Sequence, residues 1–159
     1  MPFHDVRPYL RACLESLARQ TLEDLEFILV DDGSTDGSSA VAEEYCASDP
    51  RFRLVIQENL GCGLARNTGV PHANGEYLTF VDADDVVHHR AYERLVGSLA
   101  GSGSDFAIGT AARFGSLGVT PSYVHQQAVI RSGIGTHISQ HPELVLDRMA
   151  WNKVYRRTF

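Results

Sequence analysis

Residues 26–57, "EFILVDDGSTDGSSAVAEEYCASDPRFRLVIQ", decide the fold. The stretch opens on a short apolar run, Glu26 to Val30, that reads as a strand. It stops in "DDGSTDG" (31–37), a cluster of turn and cap formers. Asp36 or Ser34 then caps a helix whose apolar positions are Val41, Ala42, Tyr45 and Cys46. "FRLVIQ" (52–57) is the next strand. Strand, helix and strand in immediate succession form the unit from which parallel sheets are built.

The same alternation continues on both sides. Upstream, Val6, Tyr9, Leu10, Cys13, Leu14 and Leu17 recur at helical spacing and predict an amphipathic helix over 6 to about 19. Only "MPFHD" precedes it. Pro2 and the charged Asp5 leave no room for a strand, so the first strand of the α/β pattern is expected to be missing. Downstream, "GCGLARNTGVPHA" (61–73) is a glycine-rich lead into a short helix, with Pro71 near its end. "YLTFV" (77–81) is a third strand, "HRAYERLVGSLA" (89–100) a helix closed by "GSGS", and "DFAIG" (105–109) a fourth strand. From 110 to 142 glycine, serine and glutamine dominate, and an irregular segment is expected. The end, "PELVLDRMAWNKVYRRTF", reads as helical and then mixed. The pattern is that of one α/β domain with a mostly parallel sheet.

Composition narrows the function classes. A chain of 159 residues is long enough for one proper core, and 43% hydrophobic with 21% charged residues is ordinary for a globular domain. The net charge of -6 argues against a nucleic-acid surface, which carries a basic stripe. An anionic ligand therefore needs local help, from a metal or from particular arginines. Lys153 is the only lysine; the other basic residues are arginine. Cys13, Cys46 and Cys62 lack metal-ligand spacing, and their odd number fits reduced thiols in the cytoplasm. No apolar run approaches the length of a membrane span.

Two acidic clusters stand at strand ends: Asp31–Asp32, and Asp82, Asp84 and Asp85 in "YLTFVDADDVVHH" (77–89). Ligands of open α/β sheets bind outside the carboxyl ends of strands. Each cluster alone has a plainer reading in turn and cap duty. Two on neighbouring strand ends face one crevice, and carboxylates so close repel unless a cation lies between them. Their hard oxygens suit magnesium or manganese, which complete their shells with substrate phosphates. "NLGCGLARNTG" (59–69) adds small residues that let backbone approach a ligand, and Arg66, either a partner for a phosphate or base oxygen or a solvated helix residue. It matches neither the P-loop nor the dinucleotide fingerprint. His88 and His89 read as exposed residues at a helix start, Cys62 as a small residue in a glycine-rich loop, and Trp151 as a packing anchor.

Taken together, "PFHD", "QTLEDLEFILVDDGSTDGS", "ENLGCGLARNTG", "ANGEYLTFVDADD" and "WNKVYRR" resemble the bacterial family-2 glycosyltransferases of GT-A fold, over nearly the whole chain. The resemblance implies an inverting transfer of sugar from a nucleoside-diphosphate sugar, a UDP-sugar first among them, to a hydroxyl of a saccharide or polymer acceptor. It implies magnesium or manganese as cofactor and a place in cell-surface polysaccharide synthesis. The enzyme is then cytoplasmic, reaching the inner face of the membrane only through other parts of a longer protein. Carried over by residue, nucleotide binding falls on Pro2, His4, Asp32, Arg66 and Asp82, and metal binding on Asp84 or Asp85. His4 takes the place of an aromatic that stacks on the base. Residues 1 to about 109 become the nucleotide-binding part, and about 110–159 the start of the acceptor side.

The departures from the family carry expectations too. Loss of the first strand should leave a gap between two strands of the nucleotide-binding sheet. The family's catalytic base follows the W-N-K segment and is expected beyond Phe159, which leaves the catalytic residue unknown and Asp147 too early to match. The chain is thus expected to be a donor-binding half, truncated at both ends and inactive alone. A non-catalytic binding or regulatory module of the same fold is the second reading. A receiver-like phospho-accepting domain, read from "FILVDDG", is the third. It fits poorly, because its late-strand lysine would have to be Lys153, after an irregular stretch.

Overall fold

The structure is a computed structural model that describes residues 1–115, 118–122 and 149–158. The quoted stretch folds as read. β2 (Phe27–Asp32) is followed by α2 (Ser38–Ser48) and β3 (Phe52–Gln57), and β2 pairs parallel with β3 from Phe27 opposite Phe52 to Asp32 opposite Gln57. Every residue of β2 is buried, so its apolar run carries both faces of the sheet into the core. α1 (Arg7–Ala18) buries Leu10, Cys13, Leu14 and Leu17, the stripe that the spacing predicted, while Tyr9 stays 60% exposed. Full burial of each such leucine stabilises the fold by about 1.5–3 kcal/mol.

The expectation of a missing first strand is corrected. β1 (Pro2–Phe3) pairs parallel with β2, Pro2 opposite Val30 and Phe3 opposite Asp31. Met1 extends the contact: Val30 N–H donates to the Met1 carbonyl at 2.9 Å, and the Met1 amine donates to the Ile28 carbonyl at 2.8 Å. Two residues suffice because only one edge is used. The alternation points Pro2, which has no N–H to give, away from β2. The expected gap takes a milder form, since β1 joins no ladder with β4 (Tyr77–Thr79) among the described residues.

β4 and β5 (Phe106–Ile108) lie in a second sheet of order β4-β8-β5, antiparallel to β8 (Lys153–Arg156) between them. The parallel sheet is thus the β1-β2-β3 half. The "WNKVYRR" segment supplies the strand that joins the other two, an insertion that local periodicity does not reveal. α3 (Cys62–Gly69) packs on β2, and α4 (Ala91–Ser102) ends at Gly103 in the left-handed region. Within the stretch expected to be irregular, β6 (Ala112–Gly115) and β7 (Gly118–Pro121) form an exposed antiparallel pair, which corrects that expectation for these residues, while 123–142 lie outside the described residues. Asp147 and the helical reading before 149 lie outside the described residues. One core unites both sheets: Phe3, Leu10, Leu14 and Leu29 pack with Val81, Tyr92, Leu99 and Val154.

Candidate functional site

The carboxyl ends of β1 and β2 and the loop after β4 converge on a cleft of about 290 Å³. It is lined by Pro2, His4, Asp32, Arg66, Asp82 and Asp84, with Phe3, Val6, Cys62 and Ala83 between them. Six of the seven site residues read from the sequence therefore meet in one place. Asp85, the seventh, is not in the lining.

The two aspartates ending β2 have separate duties. Asp31 is buried and accepts from Ser34 N–H at 2.8 Å and from the Ser39 hydroxyl, so it braces the turn into α2. Asp32, 3% exposed, is the hub of the loop after β3. Its Oδ1 accepts from Gln57 Nε2 at 2.7 Å and Leu60 N–H at 2.9 Å, and its Oδ2 from Gly61 N–H at 2.8 Å. Led by the Leu60 bond, these contacts hold its carboxyl below the usual carboxylate range despite burial. Oδ2 retains lone-pair capacity for one more donor.

Glycine makes that packing feasible. Gly33 has φ of +76°, and a Cβ there would meet the Asn59 backbone nitrogen at 2.9 Å. The turn after β2 and the loop after β3 are thus in close backbone contact, which "DDG" permits and "DDA" would not.

His4 is held on the opposite lip by a clamp that the sequence did not announce. Asp5 adopts φ of +48° and accepts from Thr35 N–H at 2.7 Å and Asp36 N–H at 3.2 Å. Asp36 accepts in turn from Arg7 N–H at 2.9 Å and from Ser38 N–H at 2.9 Å, so it serves the first residue of both α1 and α2. "PFHD" and "DGSTDGS" are one hydrogen-bonded unit. His4 Nε2 lies 3.0 Å from Asn59 Nδ2, which links the first turn to the loop after β3. Asn59 and Asp5 are the residues that sequence reasoning missed. The only signal was their position inside motifs whose other members had already been assigned.

The three clustered carboxylates occupy three different environments. Asp82 Oδ1 accepts from Arg66 Nη2 at 2.7 Å, so its counter-charge is already in the protein. Asp84 is exposed at the cleft mouth. Asp85 closes a tight turn through its N–H to the Asp82 carbonyl at 3.0 Å, and burial, with repulsion from Asp84 and Asp82, raises its carboxyl. Among the described residues no three acidic, imidazole or thiol groups converge as a ready cage. A cation that takes one or two carboxylates and finishes its shell with phosphate and water fits such a donor set, and magnesium and manganese behave so. Cys13, behind Asp82, is pushed up to about 12 by burial and offers no thiolate.

Comparison with known proteins agrees with the fold. The family model described as "Glycosyl transferase family 2" matches residues 1–159. EpsH of Bacillus subtilis is 37% identical over 156 residues, covering 98% of this chain and 45% of EpsH. The crystal structure of Staphylococcus aureus TarS 1–349 in complex with UDP-GlcNAc superposes with a TM-score of 0.83 at 24% identity, over 98% of this chain and 43% of that one. The mannosyltransferase PcManGT of Pyrobaculum calidifontis, in complex with GDP-Man and Mn2+, gives a TM-score of 0.63 at 26% identity, over 70% of this chain and 34% of its own. The chain thus spans less than half the length of these relatives.

Proposed function

The chain belongs to glycosyl transferase family 2 over all of residues 1–159, and from that premise we propose that its cleft is the donor site of a glycosyltransferase acting on a nucleoside-diphosphate sugar. The observation that carries the reading is the meeting of Pro2, His4, Asp32, Arg66, Asp82 and Asp84 around one cleft at the carboxyl ends of the strands. Asp32 Oδ2 takes an N–H of the nucleobase, and the His4 ring covers the base from the N-terminal turn. Asp82 lies at the ribose, and Asp84, with Asp85 beside it, faces the diphosphate. The manganese and GDP-mannose in PcManGT, a relative at 26% identity, support a metal-bound nucleotide sugar as the ligand class. A uridine nucleotide is the first base to test.

A divalent ion held at Asp84 or Asp85 would neutralise charge on the departing diphosphate. The protein's own residues do the rest: they orient the base, fix the ribose and leave the anomeric carbon toward the acceptor side. In the complete reaction an acceptor hydroxyl loses its proton to a carboxylate expected after the W-N-K segment. Its oxygen then bonds to the anomeric carbon as the bond to the diphosphate breaks, with inversion. The acceptor class proposed is a saccharide or polymer of the cell surface, on the likeness of "WNKVYRR" to members that build such polymers.

Calorimetry with UDP and GDP, each with and without Mn2+, tests the donor site. Metal-dependent binding that is lost in Asp84→Ala is the expected result. Binding that is equally metal-dependent in Asp84→Ala would refute the assignment of the metal end.

A further inference from the structure

Arg66 and Asp82 both line the cleft, and each is the other's partner. Three features make this pair unusual. The contact is a single bond, Nη2 to Oδ1 at 2.7 Å, although a guanidinium and a carboxylate can pair through two. The Arg66 Nε is buried and has no hydrogen-bond partner, so the guanidinium's donor set is incomplete as it stands. The pair also joins two walls, because Arg66 projects from α3 on the parallel sheet and Asp82 follows β4 of the other. Among the described residues of the lining, Arg66 is the only arginine or lysine, against Asp32, Asp82 and Asp84.

We propose that Arg66 is an exchangeable counter-ion, a positioning residue that holds Asp82 while the cleft is empty. It passes to a phosphate oxygen of the nucleoside diphosphate when the 82–85 carboxylates gain a divalent cation. The inference rests on the donor-site reading above and adds to it a competition. A cation at these carboxylates and the Arg66 guanidinium neutralise the same charge, so each weakens the hold of the other. Nucleotide phosphate removes the conflict, because it offers Arg66 a new acceptor. Metal and nucleotide then strengthen one another through the displaced arginine as well as through direct bridging.

The sign of one measurement separates this from a structural role. In Arg66→Gln the competing charge is gone, and Mn2+ alone should bind about two- to fivefold more tightly, the scale of a half-exposed ion pair. UDP or GDP with Mn2+ should bind about tenfold more weakly or worse, as expected for loss of a charge-assisted bond. A residue that merely braces the two walls would weaken both ligands when removed. Mn2+ affinity is read by electron paramagnetic resonance of the free ion, and nucleotide affinity by calorimetry, on the 159-residue chain.

Arg66→Lys keeps the charge and loses the planar fork. It should bind Mn2+ as the wild type does and nucleotide less well, and it carries the test if Arg66→Gln fails to fold. Combining Arg66→Gln with Asp82→Asn should abolish the gain in Mn2+ affinity, since no shared carboxylate remains. Mn2+ affinity that is unchanged or lower in Arg66→Gln, or no Mn2+ binding to either protein, overturns the exchange. Wild-type chain that binds Mn2+ but neither nucleotide overturns the donor reading instead.

Discussion

Asp32→Asn is nearly isosteric and tests whether the carboxylate at the end of β2 organises the loop after β3. Its two oxygens accept three donors: Gln57 Nε2, Leu60 N–H and Gly61 N–H, at 2.7, 2.9 and 2.8 Å. Asparagine keeps one oxygen. Placed toward Gln57 and Leu60, that oxygen preserves two bonds as neutral ones, while the new NH2 faces the Gly61 N–H, donor against donor. A bond to a charged acceptor is worth about 1.5–3 kcal/mol, and Gly61 is exposed, so its freed N–H can turn to water. Loss of that one bond gives an expected destabilisation of about 2 kcal/mol, a sizeable share of the roughly 5–15 kcal/mol that holds a domain together.

The same bonds fix the direction of a pH effect. They lower the carboxyl of Asp32 in the folded state, so the stability they confer is fully present above the unfolded value of about 3.9 and is lost as pH falls through the lower folded value. Urea unfolding followed by circular dichroism, at neutral pH and at successive steps into the acid range, measures both effects. The difference between wild type and Asp32→Asn should shrink as the wild-type carboxylate takes up its proton. A variant as stable as wild type at neutral pH, or a difference that grows toward acid, would refute the account of Asp32 as an anionic hub.

Glycine positions divide sharply. Gly33→Ala forces φ of +76° on a residue with a side chain and puts its Cβ 2.9 Å from Asn59 nitrogen, and should cost about 2–4 kcal/mol in thermal or urea unfolding. Gly97→Ala, in α4 with open space around it, should stabilise by about 0.5–1 kcal/mol in the same assay. His4 and Asn59 should be coupled in nucleotide binding. Asn59→Ala should weaken UDP or GDP affinity about threefold in calorimetry when His4 is present, and have no effect beside His4→Phe, whose ring needs no bond to orient it.

The sequence displayed most of the elements because their signals are local. The α1 stripe Leu10, Cys13, Leu14, Leu17 and the run Phe27 to Val30 announce themselves through burial on one face or on both. β1 escaped because a strand of two residues has no period to detect, and its existence depends on the backbone of β2 beside it. β8 escaped for a related reason: "KVYR" becomes a strand by lying between β4 and β5, which are remote in sequence. At the site, the aspartates and Arg66 were legible as chemistry. The Arg66–Asp82 pair, the His4–Asn59 contact and the bonds from Thr35 and Asp36 to Asp5 were not, since each joins residues from separate motifs.

Those long-range contacts change how the crowded acids after β4 are understood. A uniform cluster of three carboxylates would bind any cation and repel any phosphate, which is a poor start for the proposed site, which holds both. The structure grades the charge instead. Asp82 is compensated by Arg66, Asp84 is open to solvent, and Asp85 is drawn toward its protonated form by burial and by its neighbours. On the proposed reading a divalent ion enters at Asp84 and Asp85 and competes with Arg66 for Asp82, and the arginine released from Asp82 meets the anion. In a chain of net charge -6, that division is what would let the proposed donor site attract a nucleotide diphosphate. Moving the arginine's charge elsewhere would leave the same acids in place and cost the site its anion.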